Sequence, residues 1–390
     1  MKTPRANGDK SRTEPRGPAV WENWTASLRP KPSKSADVPV VEVPLFTDAP
    51  VYGEPTDGYG PYLLLNAERD MSLWRYAVPR PAIVLRAEGY LAPQYEFEEI
   101  AQEIAALLSL SLGLRLKPGG VSRHFWPGDP DPKGTPTARP VPQPVLLTSY
   151  RGAVLPRVRD RKQLDHDNLV SRLWLVQPED AAALVRAARL YQDAVWIAES
   201  QPELSWLMLV SAVETAAGDW CRAKQSPRDA VLEYMPELEK SLAPCGDDVV
   251  QEACKLLAPL IGSKKKFLVF MDVDKFCPPE PAQRPKKLIW QHSWARADME
   301  VSMKTIYNYR SKALHAGTPF PSRMCEPPTK PDGTEFVEVP PFDLNGNESI
   351  EETPMLLHTF EYIVQGALCK WWESMIPKEQ AAEALRPCSG

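Results

Sequence analysis

The chain has 390 residues, is 25% charged and 43% hydrophobic, and carries a net charge of −5, an ordinary balance for globular folding. That charge excludes a global attraction to nucleic acid, so an RNA-binding surface has to be a local basic patch. No apolar run approaches the ~18–20 residues that span a bilayer, residues 1–18 hold no apolar leader core, and seven cysteines without a Cys-x-x-Cys pair point to reduced thiols in a cytoplasm.

In chain order, residues 1–45 are rich in Pro, Lys, Arg and Ser and read as a flexible arm, with Trp21 and Trp24 as docking exceptions. The apolar runs 62–65 and 82–85 predict buried strands. Residues 96–112 predict an amphipathic helix with Phe97, Ile100, Ile104, Leu107 and Leu108 near one face. A Pro/Gly-rich loop over 113–144 is interrupted by His124-Phe125-Trp126, which either stacks on a base or anchors the loop by burial. Two more strands are expected at 145–147 and 173–176, so residues 46–177 read as an α+β module. From Pro178 the pattern turns helical, with helices expected at 181–199, 202–224, 227–242, 247–260, 263–276, 294–316 and 351–374. Residues 178–376 thus read as an all-α bundle with a linker at 278–287, a Pro-rich insertion at about 318–350 and a tail at 377–390. The length suffices for two domains, each with its own core.

The helix ending at Gly317 holds the chemistry. At ~100° per residue, Met299, Met303, Ile306, Ala313 and Leu314 form one apolar stripe with Arg310 in its middle. A guanidinium facing a core is costly unless paired. Asn308, Ser311 and His315 project from a polar face, and His315 lies where the carbonyl end of the helix dipole favours a cation. Gly317 reads as the C-cap. A second misplaced charge, Glu214, follows the apolar run 206–213 in a helix buried nearly all round. Two such charges are each relieved by meeting, so Glu214 is expected to pair with Arg310, either as part of a site or as an ion pair that sets helix register. Arg310 and His315, five residues apart, differ by ~140° on a straight helix. Either the helix loosens at its end or a second subunit completes the site.

Val213-Glu214, the basic-apolar stretch Lys264-Lys265-Lys266-Phe267-Leu268-Val269-Phe270, and the helix Ile306-Tyr307-Asn308-Tyr309-Arg310-Ser311-Lys312-Ala313-Leu314-His315-Ala316-Gly317 resemble the HEPN superfamily over about 185–375, most nearly its Apea-like branch. The resemblance implies a HEPN-like helical bundle, a homodimer, and a metal-independent, cofactor-free endoribonuclease built on Arg-x4-His. His315 would be the general acid/base, Arg310 the phosphate holder, Ser311 an orienting hydroxyl and Glu214 the residue that positions Arg310. RNA would leave 2′,3′-cyclic phosphate and 5′-OH ends. The implied role is a toxin or antiphage effector whose N-terminal module answers a phage-derived trigger or a cognate inhibitor. HEPN toxins regulated by modification carry a tyrosine shortly after the histidine; here Ala316-Gly317-Thr318 follows, which argues against that control. The alternative is a non-catalytic HEPN module that dimerises or binds RNA as a scaffold.

Lys264, Lys265 and Lys266 are either a solvated helix start or an RNA-backbone contact extended by Lys312, Asn308, Lys286 and Lys287. His292 between Trp290 and Trp294 reads as a packed histidine, and Asp165-His166-Asp167 as a polar loop without a second histidine cluster to make a metal site. No phosphate-cradling glycine loop supports an NTPase.

Overall fold

The computed structural model describes residues 17–29, 38–53, 56–67, 79–90, 97–126, 132–137, 144–147, 152–164, 169–222, 224, 226–258, 261–281, 291–330, 336–340 and 352–377. The N-terminal part is α+β and the remainder is mostly helical. Its elements are α1 (Ala19–Ser27), β1 (Val40–Thr47), β2 (Val51–Tyr52), β3 (Thr56–Tyr59), β4 (Tyr62–Asn66), β5 (Arg80–Glu88), α2 (Phe97–Leu112), β6 (Lys117–Pro118), β7 (Arg123–Phe125), β8 (Thr135–Pro136) and β9 (Lys162–Gln163). Among the described residues, seven strands form one sheet in the order β3-β4-β5-β1-β7-β8, with β6 also on β1. Alternation sets its buried face. Val41 pairs Ala87, Val43 pairs Leu85 and Tyr62 pairs Ala87, and all five are buried beside Ile100, Ile104 and Leu107 of α2.

Part of the expected arm is ordered structure. α1 lies within it, with Trp24 edge-on to Tyr62 at 5.6 Å and Trp21 Nε1 donating to the Val176 carbonyl at 2.8 Å. Residues 40–45 belong to the central strand, because β1 finds partners on both edges despite Pro44. Two expected strands are absent: residues 144–147 have no regular structure, with Val145 76% exposed, and Leu169–Leu175 is a 3-10 helix. A short apolar run alone does not separate strand from helix or coil. Of the expected loop anchor, Phe125 is half-buried with the Arg86 guanidinium 4.7 Å over its ring, while Trp126 is exposed beyond the end of β7 and stacks parallel on His124 at 5.7 Å.

The helical part comprises α3 (Pro178–Ile197), α4 (Pro202–Arg222), α5 (Pro227–Leu232), α6 (Pro236–Leu242), α7 (Asp247–Leu257), α8 (Ser263–Phe270), α9 (Arg296–Ala316) and α10 (Leu357–Met375). Proline opens α3, α4, α5 and α6, its fixed φ and missing N–H suiting a first helical turn. The helix expected over 227–242 breaks before Pro236, and the last helix starts at Leu357, after Pro354. α4 is the central helix, packed on α3, α8, α9 and α10. The described parts of the Pro-rich insertion also pack on the bundle: Phe320 stacks on Trp206 at 5.3 Å and the Met324 carbonyl accepts from Trp206 Nε1 at 3.3 Å.

One hydrophobic cluster runs from the sheet through α2, α3 and α4 to α10. A buried ionic hub crosses the same boundary. Arg115 donates to Asp48 at 3.0 Å, to Glu199 at 2.5 Å and to the Val195 carbonyl at 2.7 Å, while Glu199 also accepts the Val154 N–H at 2.8 Å. Among the described residues no helix is long and apolar enough to cross a membrane.

Candidate functional site

Glu214 sits two-thirds of the way along α4, on the side that meets α8 and α9. Its neighbours Val213 and Ala217 are buried, which leaves the carboxylate half in the core with 14% of its side chain exposed. α9 delivers Arg310 to it: Nη2 donates to Glu214 Oε2 at 2.6 Å, and the arginine side chain is 20% exposed. The pair expected from two misplaced charges is present. Tyr307, one turn earlier on the same side of α9, donates its O–H to Glu214 Oε1 at 2.9 Å. Burial, followed by the bond to Glu214, pushes the Tyr307 phenol up to about 12, with Arg310 and the nearby Ser263 hydroxyl opposing the rise. The Arg310 guanidinium carbon lies 5.6 Å over the Tyr307 ring, and its Nε is buried without a hydrogen-bond partner among the described residues.

The apolar stripe ends sooner than expected. Met299, Met303 and Ile306 are buried, but Leu314 is 52% exposed, because the last turns of α9 run past the helices that cover its middle. Ser311 is half-buried; Asn308, Lys312 and His315 are exposed. α9 stays α-helical through Ala316, and Gly317 at φ 65° caps it, its N–H bonded to the Lys312 carbonyl. The helix therefore does not loosen between Arg310 and His315, which keep their ~140° offset. By the same spacing His315 falls within ~20° of Asn308 and shares its face.

That face is where the basic residues meet. Lys264 Nζ donates to Asn308 Oδ1 at 2.8 Å, and Lys312 Nζ lies 5.5 Å over the Tyr309 ring. Lys265 and Lys266 leave α8 in other directions, Lys265 to Glu233 and Lys266 to the Ala258 carbonyl at 3.0 Å. Of the three consecutive lysines, Lys264 is the one brought to α9. Lys286, Lys287 and Asp165-His166-Asp167 lie outside the described residues. His292 is buried, its Nδ1 3.2 Å from the Pro354 carbonyl, as a packed histidine. Among the described residues no group of three or more His, Cys, Asp or Glu converges to hold a metal.

Tyr307 is the site residue that the pattern of misplaced charges does not mark. The signal for Tyr307 was there, since three positions before Arg310 places it on the arginine's side of the helix. Comparison with protein-family models, curated proteins and solved structures finds no match to this chain.

Proposed function

We propose that the chain is a metal-independent endoribonuclease of the HEPN type, its helical part a HEPN-like bundle that works as a homodimer. One observation carries this reading. An arginine in the late turns of α9 is held by a carboxylate from the central helix α4 through a single nitrogen, five residues before an exposed histidine and a glycine cap. Arg310 would bind the scissile phosphate and stabilise its growing charge. His315 would take the proton from the ribose 2′-OH as its oxygen attacks the adjacent phosphorus, and the imidazolium would give that proton to the 5′ oxygen as the P–O5′ bond breaks. Ser311, between the two faces, would orient the phosphate. Lys264, Asn308 and Lys312 would hold the RNA backbone beside His315.

The helix geometry supports a shared site, because His315 and Arg310 of one copy point ~140° apart. Two copies facing through the exposed ends of α9, where Leu314 is 52% exposed, would bring the arginine of one toward the histidine of the other. The setting that fits is a cytoplasmic toxin or antiphage effector, the α+β part answering a phage-derived trigger or an inhibitor. The same exposure of His315 also suits a non-catalytic RNA-binding module, and end-group analysis separates the two. Incubated with total RNA, the wild-type protein should yield 2′,3′-cyclic phosphate and 5′-OH ends and leave DNA intact, since DNA lacks the nucleophile. His315→Ala and Arg310→Ala should abolish cleavage; cleavage that survives both would rule the mechanism out.

A further inference from the structure

Glu214 has two carboxylate oxygens, and they are not used alike. Oε2 takes Arg310 Nη2 at 2.6 Å, while Oε1 takes the Tyr307 O–H at 2.9 Å. An unoccupied Oε1 would be free to accept a second guanidinium N–H and close the two-bond fork that carboxylates favour with arginine. The last torsion of a glutamate is broad, so nothing in Glu214 itself prevents that rotation. The Tyr307 phenol is well fixed: its side chain is buried and its ring packs on Phe267 at 5.2 Å. The consequence is visible at Arg310, whose Nε stays buried and unbonded among the described residues.

We infer that Tyr307 is a positioning residue: by occupying Glu214 Oε1 it keeps the carboxylate on Nη2 of Arg310 and leaves the other terminal nitrogen, Nη1, for an RNA phosphate. The inference rests on the ribonuclease reading above. With its proton retained to about pH 12, the phenol donates throughout any working range.

The test is Tyr307→Phe, which removes one oxygen and keeps the ring in place. Its kcat on RNA should fall about tenfold or more, the effect of losing one hydrogen bond to a charged group, with KM within about twofold of wild type. In an Arg310→Lys background, whose ammonium cannot form the fork, the same substitution should change kcat by less than about twofold. Tyr362→Phe serves as the control, since its O–H bonds the Pro279 carbonyl at 3.0 Å in a different part of the fold. A Tyr307→Phe enzyme with wild-type kcat, or one whose loss persists unchanged in the Arg310→Lys background, would overturn the inference while wild-type cleavage upholds the ribonuclease reading. Wild-type protein that leaves RNA intact would overturn both.

Discussion

Arg310 and Glu214 join α9 to α4 through a 2.6 Å charge-assisted bond, and each keeps less than a quarter of its side chain in solvent. An ion pair this sheltered is worth more than a surface pair but less than a fully buried one. A double-mutant cycle of Glu214→Ala and Arg310→Ala, read from denaturant unfolding, should give a coupling of about 1–2 kcal/mol. Coupling near zero would remove Glu214 as the residue that holds the arginine.

The Arg115 hub makes a stronger demand. Arg115 is 1% exposed and bonds Asp48, Glu199 and the Val195 carbonyl, joining the end of β1 to α3. Removing it leaves Glu199 buried with only the Val154 N–H and Asp48 with only the part-exposed Arg159 at 3.3 Å, so Arg115→Ala should cost about 3–5 kcal/mol of unfolding free energy. Replacing Asp48, Arg115 and Glu199 together by apolar residues of similar volume should cost much less. A single-mutant loss below about 1 kcal/mol would mean that water reaches the hub.

Glu103 supplies a pH dependence. Burial, opposed by the Val20 N–H and by Arg189, raises its carboxyl to about 7 in the folded protein, against an ordinary value near 4.5 when unfolded. Between those two values the folded state holds a proton that the unfolded state has released, so stability from this group falls as pH rises and is lost above about 7. Glu103→Gln should therefore melt above wild type at pH 8, by roughly 2–3 kcal/mol in stability, and close to it at pH 4. Equal melting curves at both pH values would contradict this.

Much of the helical half was legible because its signals are local. Prolines mark helix starts at Pro178, Pro202 and Pro227, Gly317 marks an end, and two charges in apolar helices had to find each other. What escaped depended on neighbours distant in sequence. β1 lay hidden in a proline-rich stretch because its strand character comes from β5 on one side and β6 and β7 on the other. Leu314 fits the periodicity of the buried stripe yet faces solvent, since periodicity says which side of a helix is apolar and not how far along it the cover extends. The same limit concealed the different directions of Lys264, Lys265 and Lys266.

Under the proposed ribonuclease function, those directions predict different parts for the three lysines. In a His315→Ala background, Lys264→Ala should weaken RNA binding several-fold and lower the slope of log affinity against log salt by about 0.7–1, as expected for one lost phosphate contact. Lys265→Ala and Lys266→Ala, whose ammonium groups are engaged by Glu233 and the Ala258 carbonyl, should stay within about twofold of the parent. Equal losses for all three would point to diffuse attraction in place of the face shared by Lys264, Asn308 and His315.

The central claim is that Arg310 of one copy and His315 of another make one RNA-cleaving site. The direct measurement mixes inactive Arg310→Ala protein with inactive His315→Ala protein, allows subunits to exchange and assays RNA cleavage. A site shared between copies should restore about a quarter of the wild-type rate, because half of the dimers are mixed and each mixed dimer holds one intact site of two. A mixture as inactive as its components, or components that each cleave RNA alone, would contradict the account.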